Sequence, residues 1–189
     1  MSFVSLILSL PLVFALPDPL VSWTNAEHDA VKVEVAPSDE LVSQCLDAGL
    51  EVRVRYEMRV CRRRVMWADS CEERRVQIHT VQYDPIREGY RVSADRLGDT
   101  SAPKVNLVAE RFAALSLVFR IPELRLQDIG FSIEQFPMRK APFFGVRALA
   151  DCKGDYNETL ARISSFLTLG LIDFGSSDSG WVDFRILAE

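Results

Sequence analysis

The strongest pattern in the chain runs from Leu50 to Val60. Leu50, Val52, Val54, Tyr56, Met58 and Val60 alternate with Glu51, Arg53, Arg55, Glu57 and Arg59. A period of two held this long belongs to a strand with one apolar and one charged face. On a helix the same apolar residues would scatter around the whole circumference. Arg74–Tyr83 alternates less cleanly and predicts a second strand. Asp84-Pro85-Ile86-Arg87-Glu88-Gly89 supplies turn residues, and Tyr90-Arg91-Val92 starts a third strand, so the three form an antiparallel meander. Val31–Val35 alternates as well and predicts a first strand. Ile129–Phe136 and Phe143–Ala150, separated by Pro137 and Pro142, predict further strands. Gly175–Gly180 is a turn, and Trp181–Leu187 a terminal strand.

Three segments carry helical spacing instead. Ser38 to Ala48 has a capping serine, acidic Asp39 and Glu40 at its positive end, a stripe of Leu41, Val42, Cys45 and Leu46, and Gly49 to close it. Asn106 to Phe119 spaces Leu107, Val108, Phe112, Leu115 and Phe119 on one side, with Pro122 as the stop. Asn157 to Thr168 carries Leu160, Ile163 and Leu167, and Gly98–Lys104 reads as a loop. No repeat or linker divides the chain. The expected fold is α+β: an antiparallel, sandwich-like sheet domain with two or three helices covering an end or edge.

Composition narrows the class. With 189 residues, 48% of them hydrophobic, the chain can bury a core without staples and is neither disordered nor collagen-like. A net charge of −5 argues against a nucleic-acid partner. Phe3–Phe14 is uncharged and apolar, too short for the roughly 20 residues of helix that cross a bilayer. It fits the apolar region of a Sec-type signal peptide ending near Ala15, with Thr24-Asn25-Ala26 as a second cut. The alternative is an uncleaved inner-membrane anchor running to about residue 26. The expected organisation is therefore a leader over 1–15 and a single domain over 27–189, in the periplasm.

Export changes how Cys45, Cys61, Cys71 and Cys152 read, because four cysteines allow three pairings. Cys61 and Cys71 flank a hairpin with its midpoint near Met66 and would face each other, which leaves Cys45 with Cys152. Free buried thiols are the alternative. There is no C-x-x-C and no zinc-ribbon spacing, so neither a metal nor a cofactor is expected.

Of the 22 basic residues 18 are arginine, and Glu51–Arg75 holds eight arginines against five acids. Arg53, Arg55 and Arg59 read as a solvated face paired with cross-strand acids such as Glu72 and Glu73. Arg62, Arg63 and Arg64, at a hairpin tip beside Trp67, are the candidate partner-binding residues, since guanidinium groups read carboxylates and phosphates and stack on rings. Their partner would be a membrane surface or an acidic protein.

The chain has two histidines, His28 and His79. His79 shares a strand face with Gln77 and Val81 and reads as an exposed or partly buried structural histidine. The G-x-S-x-G, H-E-x-x-H, P-loop and dinucleotide motifs are absent, and Asp173-Phe174-Gly175 lacks the other kinase elements. No catalytic residues are expected. Asn157-Glu158-Thr159 spells a glycosylation sequon.

The order of these motifs resembles a known family. Val52-Arg53-Val54-Arg55-Tyr56-Glu57 runs into Arg62-Arg63-Arg64 and Trp67. Tyr83-Asp84 precedes Gly89-Tyr90-Arg91-Val92, and the tail is Ser176-Ser177-Asp178-Ser179-Gly180-Trp181. With the leader, this resembles the uncharacterised bacterial envelope family called domain of unknown function 4390, over roughly Val31 to Leu187. The short stretch before Ser38 and the four cysteines depart from that family's pattern. The resemblance implies an exported protein without an assigned activity, and a partner resembling a membrane sensor kinase. The expected function is thus a non-catalytic interaction or sensing accessory of the envelope. The alternatives are a lipid- or small-ligand-binding sandwich with a cavity lined by Phe112, Phe143, Phe144 and Trp181, or an envelope enzyme using His79.

Overall fold

The computed structural model describes residues 16–25, 29–62, 70–71, 75–96, 104–129, 142–153 and 177–186. The Leu50–Val60 alternation becomes β3 (Glu51–Arg62), which lies at the centre of the fold. It pairs antiparallel along its full length with β9 (Pro142–Lys153), from Glu51 opposite Lys153 to Arg62 opposite Pro142. On its other side it pairs with β5 (Arg75–Asp84) and, past Met58, with the two-residue β4 (Ser70–Cys71). The meander continues through β6 (Gly89–Arg96) to β7 (Lys104–Val108) at one edge. β10 (Ser177–Asp178) and β11 (Val182–Arg185) flank β9 at the other.

A second, three-stranded sheet joins β1 (Leu20–Trp23), β2 (Ala30–Glu34) and β8 (Arg120–Arg125). The two sheets and two helices enclose one core, in which Val31, Val33 and Ile121 of the small sheet join Val52, Val54, Tyr56, Met58 and Phe144 of the large one. Trp23 meets Phe184 edge-on, with ring centroids 5.2 Å apart, so the sheets also touch outside the core centre. Burying each aliphatic side chain of the β3 inner row contributes about 1.5–3 kcal/mol. The expected α+β, sandwich-like architecture is what the chain adopts, with β1 included in it. Leu16 is buried and Leu20–Trp23 pairs with β2, so the fold takes in residues upstream of 27. A chain cut after Ala26 would lack an edge strand.

Helix α1 (Asp39–Asp47) starts as its sequence dictates, with Ser38 Oγ facing the Leu41 N–H at 3.5 Å. Gly49, at a φ of 72°, ends it in the left-handed conformation that favours glycine. The Asn106–Phe119 helix expected from spacing is corrected. Lys104–Val108 is β7, and α2 covers only Arg111–Val118. The reason lies in two overlapping periods. Val105 and Leu107 alternate with polar neighbours, whereas Ala114 and Val118, four apart, choose the face that α2 buries. Phe112 stands about 200° round the helix from Ala114 and is 82% exposed, not part of a buried stripe.

Pro122 does not merely stop a helix; it lies within β8, an edge strand. The register slips between Val31 and Val33 opposite it, so the missing N–H falls at a bulge. Ile129 closes a short 3₁₀ turn (Leu126–Ile129) rather than opening a strand. The rest of the expected strand to Phe136, the helix from Asn157 to Thr168 and His28 lie outside the described residues.

Candidate functional site

Alternation along β3 sends Val52, Val54, Tyr56, Met58 and Val60 into the core and Glu51, Arg53, Arg55, Glu57, Arg59 and Cys61 to the outer face. On β9 the same face carries Asp151, Arg147 and Gly145, so register decides which charges meet. Arg53 lies opposite Asp151 and binds it with both prongs, Nε to Oδ1 at 2.9 Å and Nη2 to Oδ2 at 2.6 Å. That hydrogen-bonded pair, first among its causes, raises the Arg53 pKa above its ordinary value. Arg147 grips Asp178 of β10 in the same forked way, with Nε to Oδ1 at 2.8 Å and Nη2 against Oδ2. This contact holds the Asp178 carboxyl below the usual aspartate range, helped by the Gly180 N–H donated to Oδ1 at 2.8 Å. Arg55 reaches Glu57 two residues along its own strand at 2.9 Å.

Arg59 is held differently. Its guanidinium lies 3.9 Å from the Trp181 ring centroid and 3.9 Å from Asp183 Oδ1. Gly145 lies beneath it, and a Cβ there would stand 2.9 Å from Arg59 Nε, so this close approach requires glycine. The expected pairing of Arg53, Arg55 and Arg59 with carboxylates holds, but the acids come from β9, from β3 itself and from β11. Glu72 and Glu73 lie outside the described residues. Further out, Thr80 and Ser93 share a hydroxyl hydrogen bond of 2.9 Å, and Arg91 donates to Gln82 at 2.8 Å. The face is a lattice of paired charges built on paired strands, in which Arg59 Nε is buried with no hydrogen-bond partner among the described residues.

Both cysteine pairs are bridged, Cys45 to Cys152 and Cys61 to Cys71. The first joins α1 to β9 with Cα atoms 5.5 Å apart. The second joins directly opposed residues of β3 and β4, as the hairpin arithmetic expects. Such bridges form and persist in oxidising compartments. No helix among the described residues is long and apolar enough to cross a membrane.

Arg62 is the last residue of β3, its backbone opposite Ser70 and Pro142. Arg63, Arg64 and Trp67 lie outside the described residues. The second bridge therefore ties β3 to β4 next to Arg62.

His79 is on the inner face of β5 and only 3% exposed, which corrects the expectation of an exposed or half-buried side chain. Its Nδ1–H donates to the Val118 carbonyl at 3.1 Å, and its Nε2 accepts from Gln77 Nε2 at 2.7 Å. The Tyr56 hydroxyl donates to the same carbonyl at 2.9 Å. Tyr56 and His79 rings meet edge-on at 5.2 Å. These two side chains thus satisfy the end of α2, where helical carbonyls lack backbone donors. Burial pushes the His79 pKa down, against the raising effect of the Val118 and Leu117 carbonyls. Burial also pushes the Tyr56 pKa up. Both imidazole nitrogens are thus engaged, Nδ1 holding α2 to the sheet and Nε2 tied to Gln77 along β5.

The four aromatics expected to line a cavity are not brought together. Phe144 is in the core, Phe143 points to the opposite face of β9, Trp181 covers Arg59, and Phe112 is exposed on α2. Among the described residues no group of three or more His, Cys, Asp or Glu side chains could hold a metal ion. Fold and site together define a doubly bridged, β-rich domain with an internally neutralised outer face. Comparison with protein-family models, curated proteins and solved structures gave no match to the chain.

Proposed function

We propose that this chain is an exported, non-catalytic interaction or sensing accessory of the bacterial envelope, of the kind its resemblance to domain of unknown function 4390 implies. It reaches the periplasm through a Sec-type leader over residues 1–15 and works by presenting a rigid surface to a partner. The observation that carries this reading is the pair of disulfides, Cys45–Cys152 joining α1 to β9 and Cys61–Cys71 joining β3 to β4. They suit an oxidising compartment, and the second lies next to Arg62, the start of the segment that bears Arg62, Arg63, Arg64 and Trp67 in the sequence. Arg53, Arg55, Arg59 and Arg147 of the central strands are already bound to carboxylates or to Trp181, which leaves partner contact to that segment. Guanidinium groups beside an indole recognise carboxylate or phosphate oxygens, which an acidic protein or anionic headgroups supply. A membrane protein resembling a sensor kinase is the partner the resemblance favours.

The test is crosslinking and recovery from the native envelope, in parallel with binding to vesicles with and without phosphatidylglycerol. Replacing Arg62, Arg63 and Arg64 together by alanine should abolish the interaction, whereas folded His79→Gln should retain it. Recovery unchanged by the triple substitution, or turnover of an envelope substrate lost with His79→Gln, would overturn the reading.

A further inference from the structure

The edge strand β7 has a face and a rim that no other described strand covers. Among the described residues it pairs with β6 alone, and the large sheet ends there. Val105 and Leu107 project on the outer face at 58% and 50% exposure, and Lys104 and Asn106 on the other face are exposed too. Natural sheets blunt such rims with charges, bulges or coverings. Between Val105 and Ala109 the sequence carries no charge at all.

We propose that two copies of this chain pair antiparallel through β7, about a two-fold axis at Asn106. The strand is complementary to itself in this register and no other uses all five of its residues on both sides. Val105 comes opposite Leu107 of the second copy, and symmetry repeats the contact, so four apolar side chains form one strip on the outer face. Lys104 comes opposite Val108 of the second copy, with Glu110 of that copy two residues further on, past the bend at Ala109. Lys104 and Glu110 are both exposed, and neither has an ion-pair partner within its own chain among the described residues. The axis generates two such opposite-charge contacts and sets no like charges against each other. Free backbone donors and acceptors at the rim are satisfied in the same step, as when any strand is added to a sheet. A seam this short lies at the small end of protein interfaces, so the pair is reversible and follows concentration.

Sedimentation velocity of the disulfide-bonded chain from micromolar to millimolar concentration tests this. A reversible monomer–dimer equilibrium is expected, and Leu107→Lys should leave only monomer. Lys104→Glu and Glu110→Lys should each weaken dimerisation about fivefold, and the double swap should restore it. Glu110 precedes α2, so Asn106→Cys gives a second reading that leaves that helix untouched. Two Asn106 positions are opposed across the axis, and this variant should crosslink to itself far faster than Ile86→Cys on the exposed β5–β6 turn. A chain that stays monomeric throughout overturns the proposal. So does a dimer indifferent to Leu107→Lys, a swap without restoration, or equal crosslinking by both cysteine variants. A monomer whose Leu107→Lys variant loses an envelope protein would assign the rim to another chain, and would overturn it as well.

Discussion

Replacing His79 by phenylalanine tests how α2 is held. The ring volume is nearly kept, but the Nδ1–H to Val118 and the acceptor for the Gln77 amide are lost. The Val118 carbonyl retains the Tyr56 hydroxyl at 2.9 Å, whereas the buried Gln77 amide loses its His79 partner. A lost hydrogen bond costs about 1 kcal/mol and a stranded buried donor a further 1–3, so the variant should lose about 2–4 kcal/mol. In a domain this size that lowers Tm by roughly 4–16 °C. Tyr56→Phe alone leaves His79 on the carbonyl and should cost only about 1 kcal/mol. The double variant leaves the carbonyl bare and should cost more than the sum, with about 1 kcal/mol of coupling.

The pH profile supplies a second arm. Burial holds the His79 pKa below its value in the unfolded chain, 6.5. Unfolding therefore takes up a proton below that pH. The neutral imidazole's contribution is full above pH 6.5 and falls as pH drops toward the folded-state pKa, by at most about 1.4 kcal/mol per unit. His79→Phe should flatten this slope between neutrality and mild acid, before carboxylates protonate. Urea unfolding of the four variants at several pH values gives all these quantities. Strict additivity, or an unchanged slope in His79→Phe, would refute the shared-carbonyl account.

Other consequences follow from single contacts. Opening Cys45–Cys152 by paired serine substitution should cost about 4–5 kcal/mol, because the bridge closes a span of 107 residues; opening Cys61–Cys71, with a span of 10, should cost about 2–3, both read by chemical unfolding. Gly145→Ala should force Arg59 off Trp181, changing the tryptophan emission and lowering stability by about 1–3 kcal/mol. Asp178→Asn should cost less than about 1 kcal/mol, since its pair with Arg147 is partly exposed. The same variant should lose part of the acid limb of the stability profile. The Arg147 contact holds the folded-state pKa of Asp178 below 3.8, so its contribution is present above that value and disappears as pH falls through the lower one.

The legible parts of the fold were those in which one period acted alone. The Leu50–Val60 alternation marked a strand buried on one face, and Ser38, Asp39, Glu40 and Gly49 bracketed α1 closely. Asn106–Phe119 misled because strand and helix periods overlap there and nearly every residue of α2 is apolar, so Phe112 could have faced either way. β1 was hidden in a stretch that read as leader or anchor. Pro122 read as a helix stop because the edge position that tolerates it depends on β2. The arginine face was foreseeable in kind, but its partners were not. Arg53 meets Asp151 across 98 positions, and only the β3–β9 register sets that contact. Trp181 over Arg59 had a local signal, the glycine at 145 within β9, which becomes readable only once the strands are paired. His79 shared its face with Gln77 as expected, but its role awaited the end of a helix 39 residues on.

The central claim is that the chain does its work outside the cytosol as a stapled, rigid surface. Differential alkylation followed by intact-mass measurement on the chain recovered from fractionated native cells tests it most directly. The account predicts an envelope fraction that starts near residue 16 and takes up no alkylating agent before reduction, then four equivalents after it. Full-length chain in the cytosolic fraction, with all four cysteines alkylated without reductant, would contradict it.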